Sequence, residues 1–191
     1  MCGDINRWLR MLGYDSTSPQ DHPNQDDSTP NDDEIIEICL STYRILISKD
    51  YEIIKKMKMK TEKNLKSNQE FTSRFISSPT TQNGNKNCIF PCLLLRSTEI
   101  IDNLAMISNN FNIRLGYDIN NARCPKCNGN LCSIRNPEEF KRQIPPSVFN
   151  YHSEFWKCDN SDCQQLFWKG THLERIKKTL EDVKIKITKK Y

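Results

Sequence analysis

The sequence predicts an α/β fold: an open parallel sheet flanked by helices, followed by a small cysteine-rich module and a terminal helix. Three observations predict it. Apolar segments over the first 110 residues alternate helix, strand, helix, strand, helix, the grammar of an open α/β sheet. Two cysteine pairs, Cys124 with Cys127 and Cys158 with Cys163, stand 30 residues apart. Beyond His172 the apolar spacing is again helical.

Residues 4–13 place Ile5, Trp8, Leu9 and Leu12 at helical spacing, with Arg7, Arg10 and Met11 on the other faces and Gly13 as the C-terminal glycine. Tyr14 and Asp15 are expected to begin a short strand. Residues 16–31 contain no large apolar side chain and read as a disordered loop. Asn31 or Asp32 then caps a helix carrying Ile35, Ile36, Cys39 and Leu40 at 3.6-residue spacing. Residues 43–48 are β-branched, aromatic and nearly continuous, as in a buried strand, with Ser48-Lys49-Asp50 at its C-terminal end. Ile53, Ile54 and Met57 start another helix. From about 55 to 88 the Lys, Asn and Ser bias predicts a largely disordered insertion. Cys92 to Leu95 form a second strand. Ser97 is expected to cap a helix with Ile100, Ile101, Leu104 and Ile107 on one face.

The chain has 191 residues, 36% of them hydrophobic and 27% charged, lean for a globular protein but too apolar for full disorder. No apolar run is long enough to span a membrane, and the charged N-terminus lacks the core of a secretory signal. An intracellular location, cytoplasmic or nuclear, is expected, with no membrane partner. Charge is uneven. Residues 1–54 hold 11 acids and 4 bases, residues 55–88 hold 2 and 8, and residues 124–191 hold 8 and 13. An acidic first part beside a basic last part suits a carboxylate site and a polyanion-facing surface, although solvated faces alone produce the same balance.

Nine cysteines in a chain without an export signal favour metal over disulfides. A thiolate pair on one tight turn is half of a tetrahedral site, and a second pair completes it. Cys124, Cys127, Cys158 and Cys163 are therefore the expected ligands of a structural zinc. Asn128 and Gly129 suit the turn after the first pair, and Phe155, Trp156, Leu166, Phe167 and Trp168 can cover a module too small for a core of its own. Cys132 is a competing ligand, and His172 is either a spare ligand or a helix-start histidine. Cys39 and Cys92 read as small core residues.

These residues carry a resemblance. The run RWLRMLGYD at 7–15, the strand end Ser48-Lys49-Asp50, Ile144-Pro145-Pro146, and Arg123 to Cys127 with Asn128-Gly129 all contribute. So does Trp156-Lys157-Cys158 running on to Phe167-Trp168-Lys169-Gly170-Thr171-His172. Together they resemble the Mut-seven C-terminal RNase domain family over nearly the whole chain, apart from residues 16–30 and 55–88. The resemblance implies a PIN-like nuclease domain over 1–120, a zinc ribbon with a C-terminal helix over 121–191, and metal-dependent cleavage of RNA. It places Asp50 as the strand-end ligand for magnesium or manganese, Asp33 (with Asp32 a near-equal candidate) at the acidic position opening the second helix, and Glu52 as a further acid. Families of this type open with a strand ending in an aspartate ahead of the Arg-Trp-Leu-Arg helix. Neither lies ahead of that helix here, Asp4 on the helix is a poor substitute, and Thr42 occupies a further acidic position.

Two other functions compete. One is a non-catalytic RNA-binding module in which Trp156, Phe167 and Trp168 stack bases while Lys157, Lys169, Arg175 and Lys178 meet phosphates. The other is a protein-interaction ribbon with a protein partner.

Overall fold

The computed structural model describes residues 3–67 and 91–189. The expected insertion beyond residue 67 therefore lies outside the described residues. The chain divides into two compact units. One holds Pro19–Thr98, and the other combines Gly3–Ser18 with Glu99–Tyr191. The segment at 3–18 and the helix after residue 99, assigned from sequence to the nuclease part, thus belong to the unit that carries the paired cysteines.

Among the described residues the first unit holds α2 (Asp32–Ser41), β1 (Leu46–Ser48), α3 (Tyr51–Ser67) and β2 (Cys92–Leu94), while α1 (Gly3–Met11) belongs to the other unit. The two strands pair in parallel, Leu46 opposite Cys92 and Ser48 opposite Leu94. The core gathers Ile36, Cys39, Leu40, Leu46, Ile53, Ile54, Met57 and Cys92. Asn31 caps α2 through its side chain, and Glu34 returns a bond to the Asn31 backbone, satisfying donors that a helix start otherwise leaves open.

Several expectations here need correction. The strand begins at Leu46 rather than residue 43. Tyr43 takes φ 54° to close α2, and Arg44 N donates to Cys39 O at 2.8 Å, so the helix end overrides strand propensity. The helix at 51 does not dissolve near Lys55 but continues to Ser67. Its stripe of Ile53, Ile54, Met57 and Thr61 is buried, while Lys60 pairs with Glu37 at 2.8 Å and Lys56 with Asp32 at 3.5 Å on α2. Residues 16–31 form a hydrogen-bonded loop rather than a disordered one. It holds a short 3-10 turn at Pro19–Asp21 and a bend in which Asn24 N donates to Ser28 O at 2.9 Å.

The second unit contains α1 (Gly3–Met11), α4 (Ile100–Phe111), β3 (Leu131–Ser133), α5 (Pro146–Tyr151), β4 (Phe155–Cys158), β5 (Leu166–Trp168) and α6 (His172–Thr188). The strands form an antiparallel sheet in the order β3-β4-β5. Ile144, Phe155 and Leu166 make its core, and Phe149 stacks on Phe155 at 5.9 Å. α4 packs against α6 and α1, burying Leu104, Ile107, Leu180 and Val183. α4 starts at Ile100 with Glu99 at its N-cap, later than Ser97 predicts.

Gly13 ends α1 in the left-handed conformation at φ 89°, and a Cβ there would lie 2.7 Å from Asn121 O. Gly13 N donates to Arg10 O and Tyr14 N to Leu9 O, both at 2.9 Å, the paired bonds of a glycine helix end. No strand follows at Tyr14 and Asp15. The Tyr14 hydroxyl accepts from Arg114 N at 2.7 Å, and Asp15 accepts from the Asn128 side chain at 2.6 Å. Side chains anchor that stretch where a ladder was expected.

Candidate metal centre and strand-end carboxylates

Two loops of similar construction bring the cysteines together. In the first, Asn128 N donates back to Cys124 O at 2.8 Å, Asn128 takes φ 68°, and Cys124 N donates to Gly129 O at 2.7 Å. In the second, Cys163 N and Gln164 N donate to Asn160 O at 3.1 and 3.0 Å, Gln164 takes φ 45°, and Cys158 N donates to Gln165 O at 2.9 Å. Pairing of Leu131 with Cys158 across β3 and β4 sets the loops face to face. Gly129 lies so close that a Cβ there would sit 2.8 Å from Cys158 Sγ.

The four sulfurs lie within 4.8 Å of one another. Cys124 Sγ stands 3.7 Å from Cys163 Sγ, and Cys127 Sγ stands 3.3 Å from Cys158 Sγ. Zinc–sulfur bonds of about 2.3 Å in a tetrahedron imply sulfur separations of about 3.8 Å, so this donor set fits a four-thiolate metal such as zinc. Cys124 and Cys158 are buried, while Cys127 and Cys163 are half-buried. Burial pushes the Cys124 and Cys158 thiols up from their usual range. Burial also opposes ionisation of Cys163, but the Gln165 backbone N–H and the neighbouring cysteine side chains outweigh it and hold that thiol lower. Metal binding at such a site displaces protons. Cys132 is exposed on β3 outside the group, and His172 opens α6 outside it as well. Arg123, named in the resemblance motif without a role of its own, donates from Nη1 to Asn128 O at 2.9 Å and braces the first loop.

Asp50 stands at the C-terminal end of β1, one residue before α3. Its backbone N donates to Ser48 Oγ at 3.0 Å, and its Oδ1 accepts from Glu52 N at 2.8 Å. Asp50 therefore caps α3 and orients its carboxylate by doing so. Glu52 lies exposed in the first turn of α3. Asp33, exposed on α2, lies 3.5 Å from Lys60 Nζ. Among the described residues the one group of three or more possible metal ligands is the cysteine group, so Asp33, Asp50 and Glu52 are not gathered into another. Asp4 is exposed in the first turn of α1, and the Thr42 hydroxyl donates to Ile38 O.

The aromatic residues divide. Trp156 is 2% exposed, with its Nε1 donating to Asn120 Oδ1 at 3.1 Å, so it belongs to the packing rather than to a stacking face. Phe167 and Trp168 are half-buried. Lys169 lies over the Trp156 ring and pairs with Glu154 at 2.7 Å.

The Mut7-C RNAse domain family model matches residues 1–180. The chain belongs to that family. Membership supports a nuclease-type or RNA-related role for this Mut7-C chain, with RNA as the substrate class the family points to. No curated protein and no solved structure matches the chain. Among the described residues no helix is long and apolar enough to cross a membrane.

Proposed function

We propose that this chain is a metal-dependent ribonuclease-type domain: a PIN-like nuclease part over 1–120 with a zinc ribbon over 121–191. The observation that carries the reading is the family match over residues 1–180. The position of Asp50 at the end of a parallel strand supports it, because ligands of open α/β sheets gather at C-terminal strand ends. In this reading Asp50, with Asp33 and Glu52, would hold magnesium or manganese, which would supply water activation and charge stabilisation for phosphodiester hydrolysis. The chain's own part is orientation. The bond from Glu52 N fixes the Asp50 carboxylate, the bond to Ser48 Oγ holds the Asp50 backbone, and Lys60 holds Asp33 by charge. The four cysteines hold a structural zinc, closed to substrate because every position is a thiolate.

A second reading is a non-catalytic RNA-binding or protein-interaction module. It is favoured by the existing engagements of the acids, Asp50 with the start of α3 and Asp33 with Lys60.

The test is manganese-dependent cleavage of labelled single-stranded RNA by the whole chain and by Asp50→Asn, with zinc content measured in both. The nuclease reading expects cleavage that disappears in Asp50→Asn at unchanged zinc content. RNA binding that weakens steeply with salt, without cleavage under any divalent metal, selects the second reading. Equal cleavage by both proteins removes Asp50 from the chemistry.

A further inference from the structure

We propose that Arg10 is a positioning residue for the cysteine metal centre, and that through it metal binding at Cys124 and Cys127 is coupled to the docking of α1. Sequence periodicity places Arg10 on an outer face of α1, yet it is only 3% exposed. Its guanidinium spans two pieces of chain. Nε donates to Ser16 O at 2.7 Å, just after the helix. Nη1 donates to Pro125 O at 3.3 Å and to Lys126 O at 3.1 Å. Those two residues are the whole of the chain between the first pair of ligands. Cys124 O already accepts from Asn128 N, so Arg10 takes the next two carbonyls of the same turn. With its amide turned to satisfy both groups, Asn6 accepts from Arg10 Nη2 at 3.2 Å and donates to Ser16 O at 3.0 Å.

The junction is reinforced around this fork. Arg123 N donates to Arg10 O at 2.8 Å. The Asn128 amide donates to Asp15 Oδ1 at 2.6 Å and accepts from Ser16 N at 3.4 Å. The loop that presents Cys124 and Cys127 is thus held from behind by α1 and the residues after it. Two physical effects follow. A planar guanidinium serving several acceptors fixes the carbonyls, and with them the directions of the flanking sulfurs, as outer partners of metal ligands do. A metal held by four thiolates is formally a dianion, and the nearby buried cation offsets that charge. Because linkage is reciprocal, metal that favours the held loop must also favour docked α1.

The coupling does not depend on the nuclease reading, and its test does not use RNA. Cobalt(II) is titrated into the metal-free full chain and read by the thiolate-to-cobalt charge-transfer band. Wild type is compared with Arg10→Met, Arg10→Lys and Arg7→Met, the last at an exposed position of the same helix. The expected result is binding weaker by about tenfold or more in Arg10→Met, the scale of a lost bond to a charged group. Arg10→Lys, which keeps the charge but loses the fork, falls between, and Arg7→Met matches wild type. Binding by Arg10→Met within twofold of wild type overturns the proposal. So does a wild-type chain that gives no charge-transfer band.

A second arm needs no substitution. Hydrogen exchange of the wild-type chain is compared with metal bound and after chelation. Amides of α1 should lose protection on chelation, and by more than those of α6. Protection in α1 that survives chelation, or that falls no further than in α6, overturns the proposal even if Arg10→Met fails to fold.

Discussion

Replacing Gly129 with alanine tests how closely the cysteine loops are fitted. The added Cβ would stand 2.8 Å from Cys158 Sγ and 2.9 Å from Asp159 Oδ1. Non-bonded carbon atoms rest about 3.5–4.0 Å apart, so the second loop must retreat by about 0.7 Å or more. Metal-ligand distances tolerate only about 0.2 Å. Relief cannot come from a rotamer alone, because Cys158 is 1% exposed and ends β4. Overpacking of this kind costs about 1–3 kcal/mol, which corresponds to zinc binding weaker by about fivefold to 150-fold. Competition against a chromophoric chelator measures it. Gly116→Ala is the control, since nothing lies within 4 Å of its added Cβ. If Gly129→Ala binds zinc within twofold of wild type while remaining folded, the fitted geometry of the two loops is refuted.

Other consequences are open to measurement. Gly13→Ala forces a Cβ onto a residue at φ 89° and to within 2.7 Å of Asn121 O; the urea midpoint should fall by the equivalent of about 1–2 kcal/mol or more, and an unchanged midpoint contradicts the left-handed helix end. Ile36→Ala empties a position with 0% exposure and should lose about 2–5 kcal/mol in equilibrium unfolding. Burial raises the Cys39 thiol to about 11, Arg44 opposing, and burial also raises that of Cys92. The unfolded chain therefore releases these protons first. Their contribution to stability is intact below the ordinary thiol range and is lost as pH rises through about 11. Urea midpoints at pH 8 and about pH 10.5 should show the decline, and it should be shallower in a Cys39→Ala, Cys92→Ala variant.

Features set by short stretches of chain were legible in the sequence. Each cysteine pair lies within six residues, so spacing alone exposed the four sulfurs that the fold brings together. Periodicity likewise exposed the buried faces of α2 and α4. It misled where a longer-range fact decided the outcome. Residues 43–45 favour strands, yet Tyr43 is needed in the left-handed conformation to close α2. The lysines after Lys55 obscured a buried stripe that continues to Thr61. The carboxylates could be placed at a strand end and a helix start, but not their engagement with Glu52 N and Lys60. Arg10 was the least legible residue. The carbonyls it holds lie 115 and 116 residues further along the chain, and no local pattern distinguishes it from a solvated arginine.

That sequence separation has a consequence during synthesis. Pro19–Thr98 is complete, core residues included, before the ribosome reaches most of the other unit, whose two segments are Gly3–Ser18 and Glu99–Tyr191. At about 5–20 residues per second, some 115 residues take roughly 6–23 s. For that interval Arg10 on α1 lacks the Pro125 and Lys126 carbonyls that it serves in the folded chain. Its partner loop becomes ligand-competent later still, once Cys163 has been made. Under the coupling proposed for Arg10, the first helix is therefore locked in place only after both cysteine loops have been made and loaded.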